Sequence, residues 1–223
     1  MKTFGTTAPI SAVLDIPAGH VQLIAADRTD TVVEVLPTDP SKGRDVKAAE
    51  QTRIEYGDGV LRVEAPAGKN QFLGPSGSVE VTVRLPAGSH IEVKVASAEF
   101  RGVGRFGDVT FEGAHGPVKI DEAASARVTT AAGDVSVGRL NGSAEITVDK
   151  GDIRVTEAVR GTVVLRTEAG EVSVGAAPGV SASLDAHTSY GRIHNSLNNT
   201  EGAAAQLAIR ATTAYGDIVA RGL

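Results

Sequence analysis

The chain has no cysteine, no tryptophan and one methionine, and its only aromatics are three tyrosines and five phenylalanines in 223 residues. The missing thiols exclude disulfides, thiolate metal sites, iron–sulfur clusters and a cysteine nucleophile. No run approaches the roughly 18 uninterrupted apolar residues of a membrane-spanning helix, so direct membrane insertion is not expected. Met1-Lys2-Thr3-Phe4-Gly5-Thr6-Thr7 is not followed by the apolar stretch of a secretory signal, so the chain is expected to be soluble and cytoplasmic. Basic charge is also scarce. Residues 1–106 carry 12 basic and 13 acidic side chains and residues 107–223 carry 10 and 14, a net charge of -5 overall, so a nucleic-acid partner is not expected.

What is abundant is glycine, 26 residues in all. In the C-terminal half it falls at 107, 116, 133, 142, 151, 161, 170, 179 and 191, about nine residues apart, with Ser125 standing in for one member. Between the glycines lie short alternating segments such as Asp134-Val135-Ser136-Val137, Glu145-Ile146-Thr147-Val148 and Asp152-Ile153-Arg154-Val155. Alternation with β-branched residues is the pattern of a half-buried strand. Two nine-residue steps make a longer repeat, Gly-acid-[Val/Ile]-x-Val, at Gly133-Asp134-Val135-Ser136-Val137, Gly151-Asp152-Ile153-Arg154-Val155 and Gly170-Glu171-Val172-Ser173-Val174. Weaker copies start at Gly107, Gly191 and Gly216.

These steps predict an all-β chain whose C-terminal half is a parallel β-solenoid, β-helix-like, with two main strands per rung. The inward ladders are expected to be Val135/Ile153/Val172/Ile193/Ile218 and Val128/Ile146/Val163/Leu184/Leu207. A β-sandwich is the alternative, since its strands recur at similar spacing. The N-terminal half, 1–106, is expected to be β-rich but less regular, beginning the stack, and the whole chain, 1–223, a single elongated β domain with 107–223 as its regular part. Residues 52–64 read as a hairpin around Gly57-Asp58-Gly59. Leu14-Asp15-Ile16-Pro17-Ala18-Gly19 and Val83-Arg84-Leu85-Pro86-Ala87-Gly88 each read as a strand ending in a Pro-Ala-Gly turn. Residues 37–47 and 67–78 read as surface loops, and residues 45–51 carry a weak helical pattern.

The Leu-x-Ile-Pro-Ala-Gly turn, the Gly57-Asp58-Gly59 hairpin and the Gly-Asp-Val-x-Val steps together resemble a bacterial adhesin-like domain of unknown function with β-strand repeats, related to the toast-rack domains. The resemblance implies the fold and brings no catalytic residues with it. It also implies an accessory role in membrane-stress or transporter systems.

No constellation predicts catalysis, a cofactor or a metal. Asp108, Asp134, Asp152, Glu171 and Asp217 should stack at a corner, where they either cap turn N–H groups or share a cation, and Arg192 interrupts the column. The histidines are His20, His90, His115, His187 and His194, with Asp185, His187 and His194 flanking the turn at Gly191. They are read as surface residues. Tyr190 and Tyr215, each preceding a repeat glycine, are expected to stack at a corner. Gly102-Val103-Gly104-Arg105-Phe106-Gly107 matches a phosphate-loop string but has no helix after it. No Gly-x-Ser-x-Gly elbow is present.

A solenoid leaves an open strand edge at its last rung, which must be covered or paired. The expected function is therefore a non-enzymatic binding or scaffold module. Its partner would be a protein, or a second copy of itself, bound through the C-terminal rung, with Asn195–Gly202 folding over part of that edge. A surface adhesin and a carbohydrate-active solenoid enzyme are the alternatives.

Overall fold

The computed structural model describes residues 1–66 and 77–223. Most of the expected loop at 67–78, including Phe72 and Leu73, lies outside the described residues. The chain divides into two compact units, Met1–Gly116 and Pro117–Leu223. The second is a two-walled parallel β-stack, the first combines parallel with antiparallel strands, and neither is a sandwich.

In the first unit the strands are β1 (Lys2–Gly5), β2 (Ser11–Ala26), β3 (Asp30–Pro37), β4 (Arg53–Gly57), β5 (Val60–Glu64), β6 (Val79–Pro86) and β7 (His90–His115), with helix α1 (Gly43–Gln51) between β3 and β4. One half of β2 lies between β5 and β7, with Leu14 beside both Val63 and Val93. Its other half lies between β6 and β7, with Leu23 beside Val83 and Gly102. The first long strand is thus sandwiched between strands that both follow it in sequence. Antiparallel strands close the other side: β4 on β5, β3 on β6 and β1 on β3.

The hairpin of residues 52–64 forms as expected. Asp58 and Gly59 take φ of 51° and 75°, the two positive values that a tight hairpin turn needs. Two other expectations change. Pro17-Ala18-Gly19 does not end a strand but sits inside β2, where Gly19 bends the strand at a corner. A Cβ on Gly19 would lie 1.8 Å from the Val79 carbonyl oxygen. Pro86-Ala87-Gly88 is a true turn between β6 and β7, so similar strings serve a corner in one place and a turn in the other. The expected 37–47 loop is partly helix, because Asp45 of α1 is buried and accepts the Ser78 N–H at 3.0 Å, a tertiary contact that local sequence does not announce.

The second unit contains β8 (Val118–Ala132), β9 (Val135–Leu140), β10 (Ala144–Lys150), β11 (Ile153–Ala158), β12 (Gly161–Ala169), β13 (Val172–Ala176), β14 (Ala182–Tyr190), β15 (Ile193–Ser196), β16 (Leu207–Tyr215) and β17 (Ile218–Gly222). Residues 117–223 have no Phe, and Val, Ile, Leu and Ala fill the space between the walls.

The members of the first wall are the expected ones, but their order is not. Val118, Val135, Ile153 and Val172 stack in sequence; Ile218 then pairs with Val172, and Ile193 pairs with Ile218. The second wall does the same, running β8, β10, β12, β16, β14. The last two strands of the chain are therefore inserted between β12–β13 and the earlier β14–β15, which become the outermost rung.

The expected second ladder also slips. Val128 and Ile146 continue through Leu165 and Ala211, whereas Val163 sits beside Ala144 and Ile209, and Leu207 beside Gly161 and Ala182. All share the inward face, but the step from Ile146 is 19 residues, to Leu165, matching the step from Gly151 to Gly170.

The corners are built from glycine. A Cβ on Gly151 would stand 2.4 Å from the Gly133 carbonyl oxygen, one on Gly170 2.0 Å from that of Gly151, one on Gly216 2.0 Å from that of Gly170 and one on Gly191 1.9 Å from that of Gly216. Contacts below 3 Å force the backbone apart, so the rungs close to strand spacing only with glycine there. Threonines three residues earlier lock the same corner. Thr167, Thr213 and Thr188 donate through Oγ1 to the carbonyls of Gly151, Gly170 and Gly216, each at 3.0 Å.

Two substitution pairs test this arrangement. Gly170→Ala, at φ +156° and against a backbone oxygen, should destabilise the fold by more than about 3 kcal/mol. Gly179→Ala, at φ +77° with nothing within 4 Å, should cost about 1–2 kcal/mol, both read by urea denaturation. Ile218→Ala should cost about 2–5 kcal/mol as a core deletion, and Ile193→Ala under about 1 kcal/mol, although Ile218 lies nearer the chain end. Equal losses at the two isoleucines would contradict the inserted rung.

Candidate functional site

Strand edges and corner surfaces carry the features able to bind something, and both are densest around the outermost rung. β14 pairs with β16 and β15 with β17, and among the described residues neither has a strand on its other side. The inward positions of β15 have lost their cover. Ile193 is 44% exposed in a ladder where Ile218, Val172 and Ile153 are all 0% exposed. Asn195 stands where the neighbouring rungs have Ala220, Val174 and Val155. A polar residue at an inward ladder position was the one sequence signal that this rung, and not the last, faces solvent.

The return segment between β15 and β16 covers one end of the edge, in the region expected. The Asn198 carbonyl accepts the Ala182 N–H at 2.9 Å at the start of β14. Ser181 Oγ accepts the N–H groups of Thr200 and Glu201 at 3.1 and 3.2 Å. The rest of β14, through Leu184 to Tyr190, is left open along its edge.

At the corner, Tyr190 and Tyr215 stack face to face, with ring centroids 5.0 Å apart and planes 3° from parallel. This is the expected pairing, although 25 residues separate the two in sequence. Both rings stay largely exposed, at 68% and 61%.

The acid column caps turns. Asp134 accepts the Asp152 N–H at 2.9 Å, Asp152 accepts the Glu171 N–H at 2.8 Å, and Asp217 accepts the Arg192 N–H at 2.8 Å. Each carboxylate therefore reaches the backbone donor of the next rung. Arg192 does not interrupt the column. The inserted rung places it at the end, where its Nη2 also donates to Asp217 Oδ2 at 3.0 Å. These two bonds, the backbone one being the larger cause, hold the Asp217 carboxyl below its ordinary range. Asp108, in the first unit, instead donates its N–H to His90 Nδ1 at 3.3 Å.

Asp185, His187 and His194 do not converge. Asp185 and His187 point outward from β14 on the second wall, while His194, next to inward Ile193, points outward from the first wall on the opposite face. Among the described residues no group of three or more His, Asp or Glu side chains could hold a metal ion. The Gly102–Gly107 string lies within β7, with no helix after it.

A family model described as Toastrack DUF4097 matches residues 102–219, more than half of the chain. The chain belongs to the Toastrack family. Of the motifs that pointed there, the repeated Gly-acid-[Val/Ile] steps lie within the Toastrack match, from Gly107 to Ile218, whereas the Leu14–Gly19 turn and the Gly57-Asp58-Gly59 hairpin lie outside it. Similar solved structures include a candidate lipid-binding protein from Parabacteroides distasonis ATCC 8503, 14% identical, with a TM-score of 0.49 over 98% of this chain and 95% of that one. A candidate adhesin from the same organism is 12% identical, with a TM-score of 0.49 over 100% and 95%. A candidate adhesin from Bacteroides fragilis NCTC 9343 is 12% identical, with a TM-score of 0.48 over 98% and 95%. No curated protein matches the chain.

The Asp217 corner gives a pH prediction. With its folded value depressed, the stabilisation is fully present above the unfolded aspartate value of about 3.9 and is lost as pH falls through the folded value. A carbon-detected NMR titration should find the Asp217 midpoint below about 3.9. Arg192→Ala should return it only part of the way, because the backbone N–H remains; a full return would show that the guanidinium alone sets it.

Proposed function

We propose that this Toastrack chain is a non-enzymatic binding or scaffold module whose binding edge is the outermost rung, β14–β15. The observation that carries this is the exposure of Ile193 at a core position beside an unpaired strand edge. Backbone N–H and C=O groups along such an edge form a template for an added strand, and a half-exposed apolar ladder rewards its burial. The expected C-terminal binding rung moves accordingly, from the last strands in sequence to the last rung in space.

The occupant is a second copy of the chain or an extended segment of a protein partner, since both supply the backbone groups that the edge lacks. Tyr190 extends the same end with an exposed ring that offers apolar area at low entropic cost.

Hydrogen exchange and sedimentation test the proposal together. Amides of β14 beyond Ala182 should exchange much faster than those of β16 in dilute protein and become protected as concentration rises. Ile193→Lys should weaken self-association at least tenfold, about 1.4 kcal/mol, while shifting the melting temperature by only a few degrees. A strict monomer up to about 1 mM, with β14 as protected as β16 at every concentration, would overturn the proposal.

A further inference from the structure

The outward face of the second wall carries a cluster that the inserted rung assembles from three strands. Arg166 of β12 lies beside Thr212 of β16, and Thr212 lies beside His187 of β14. One step along, Arg210 of β16 lies between Val164 and Asp185. These six residues line one surface depression of about 320 Å³. Had β14 stacked directly on β12, neither Arg210 nor Thr212 would stand between them.

Several arginines elsewhere on the molecule close ion pairs. Arg127 pairs with Glu145 across the same wall at 3.2 Å, Arg28 with Asp30 at 2.8 Å, and Arg139 with Glu157. Arg166 and Arg210 close no ion pair among the described residues, although Asp185 stands directly opposite Arg210. Two unpaired guanidiniums, a hydroxyl and an imidazole on three strands about 4.8 Å apart surround a space that suits a small tetrahedral oxyanion. We propose that this depression binds a phosphate group, with Arg166 and Arg210 as its charged donors and Thr212 and His187 as its hydrogen-bonding partners.

Asp185 sharpens the ligand class. A carboxylate repels a fully ionised oxyanion but accepts a hydrogen bond from one that keeps a proton. Inorganic phosphate keeps one near neutral pH, a phosphate monoester, whose second pKa is about 6, keeps one only near or below that pH, and sulfate keeps none. The shared ligand chemistry is thus a phosphate group that still carries a proton, free phosphate near neutral pH or a monoester at about pH 6 and below.

The test is a backbone-amide NMR titration of the full chain with inorganic phosphate, glycerol 3-phosphate and sulfate at about pH 6 and constant ionic strength. Saturable shifts confined to the Arg166, His187, Arg210 and Thr212 region are expected with inorganic phosphate or glycerol 3-phosphate, at a Kd on the order of 1 mM or tighter. The tighter of the two ligands identifies the source. Sulfate should bind at least tenfold more weakly. Arg166→Gln and Arg210→Gln, both at exposed positions, should each weaken binding at least tenfold with the melting temperature nearly unchanged. Arg127→Gln should leave binding as it was. Absence of saturation by both phosphate ligands at tens of millimolar, equal binding of sulfate, or equal losses in all three variants would overturn the proposal.

Discussion

The second unit depends on one contact repeated from rung to rung along one corner: a glycine α-carbon against the carbonyl oxygen of the glycine one rung away. At Gly151, Gly170, Gly216 and Gly191 a Cβ would intrude to between 1.9 and 2.4 Å, so the rungs reach hydrogen-bonding distance only because no side chain is there. Once the corner closes, the threonine hydroxyls and the aspartate carboxylates bond from rung to rung, and the inward Val, Ile and Leu fall into ladders. The same contact records rung order, since Gly216 abuts Gly170 and Gly191 abuts Gly216.

That order shows how both units treat their ends. β2 lies between strands that come later, and β16–β17 lie between strands that come earlier. In each case a segment is held on both sides by parallel ladders. In the first unit, antiparallel β3 and β4 and the helix α1 occupy the outer side. In the second, the outermost rung carries Asn195 where inner rungs carry Ala220, Val174 and Val155, and the return segment shields only its beginning. The open edge and the arginine depression both follow from this one insertion, because it exposes Ile193 and sets Arg210 and Thr212 between β12 and β14.

Much of this was legible in the chain. The nine-residue glycine ruler and the β-branched alternation disclosed a parallel solenoid and the inward face of its two ladders, and Gly57-Asp58-Gly59 disclosed the hairpin. The capping role of the acid column was legible as one of two options, and the structure selects it through bonds from Asp134 and Asp152 to backbone donors. The stacking of Tyr190 on Tyr215 followed from their shared place before a glycine. Pro17-Ala18-Gly19 misled because a corner inside one strand and a turn between two use the same residues.

What the sequence by itself determined is the rung: its length, its corner glycine, its inward and outward faces. Those are local properties, set by steric limits at the α-carbon and by the period of two in a strand. What only the tertiary structure decided is which rung lies beside which. Neighbouring rungs carry nearly interchangeable edges, so the repeat pattern is equally satisfied by sequential or inserted stacking. The choice falls to burial: Ile218 and Ala220 fill the inner position fully, while Ile193 and Asn195 can face water at lower cost.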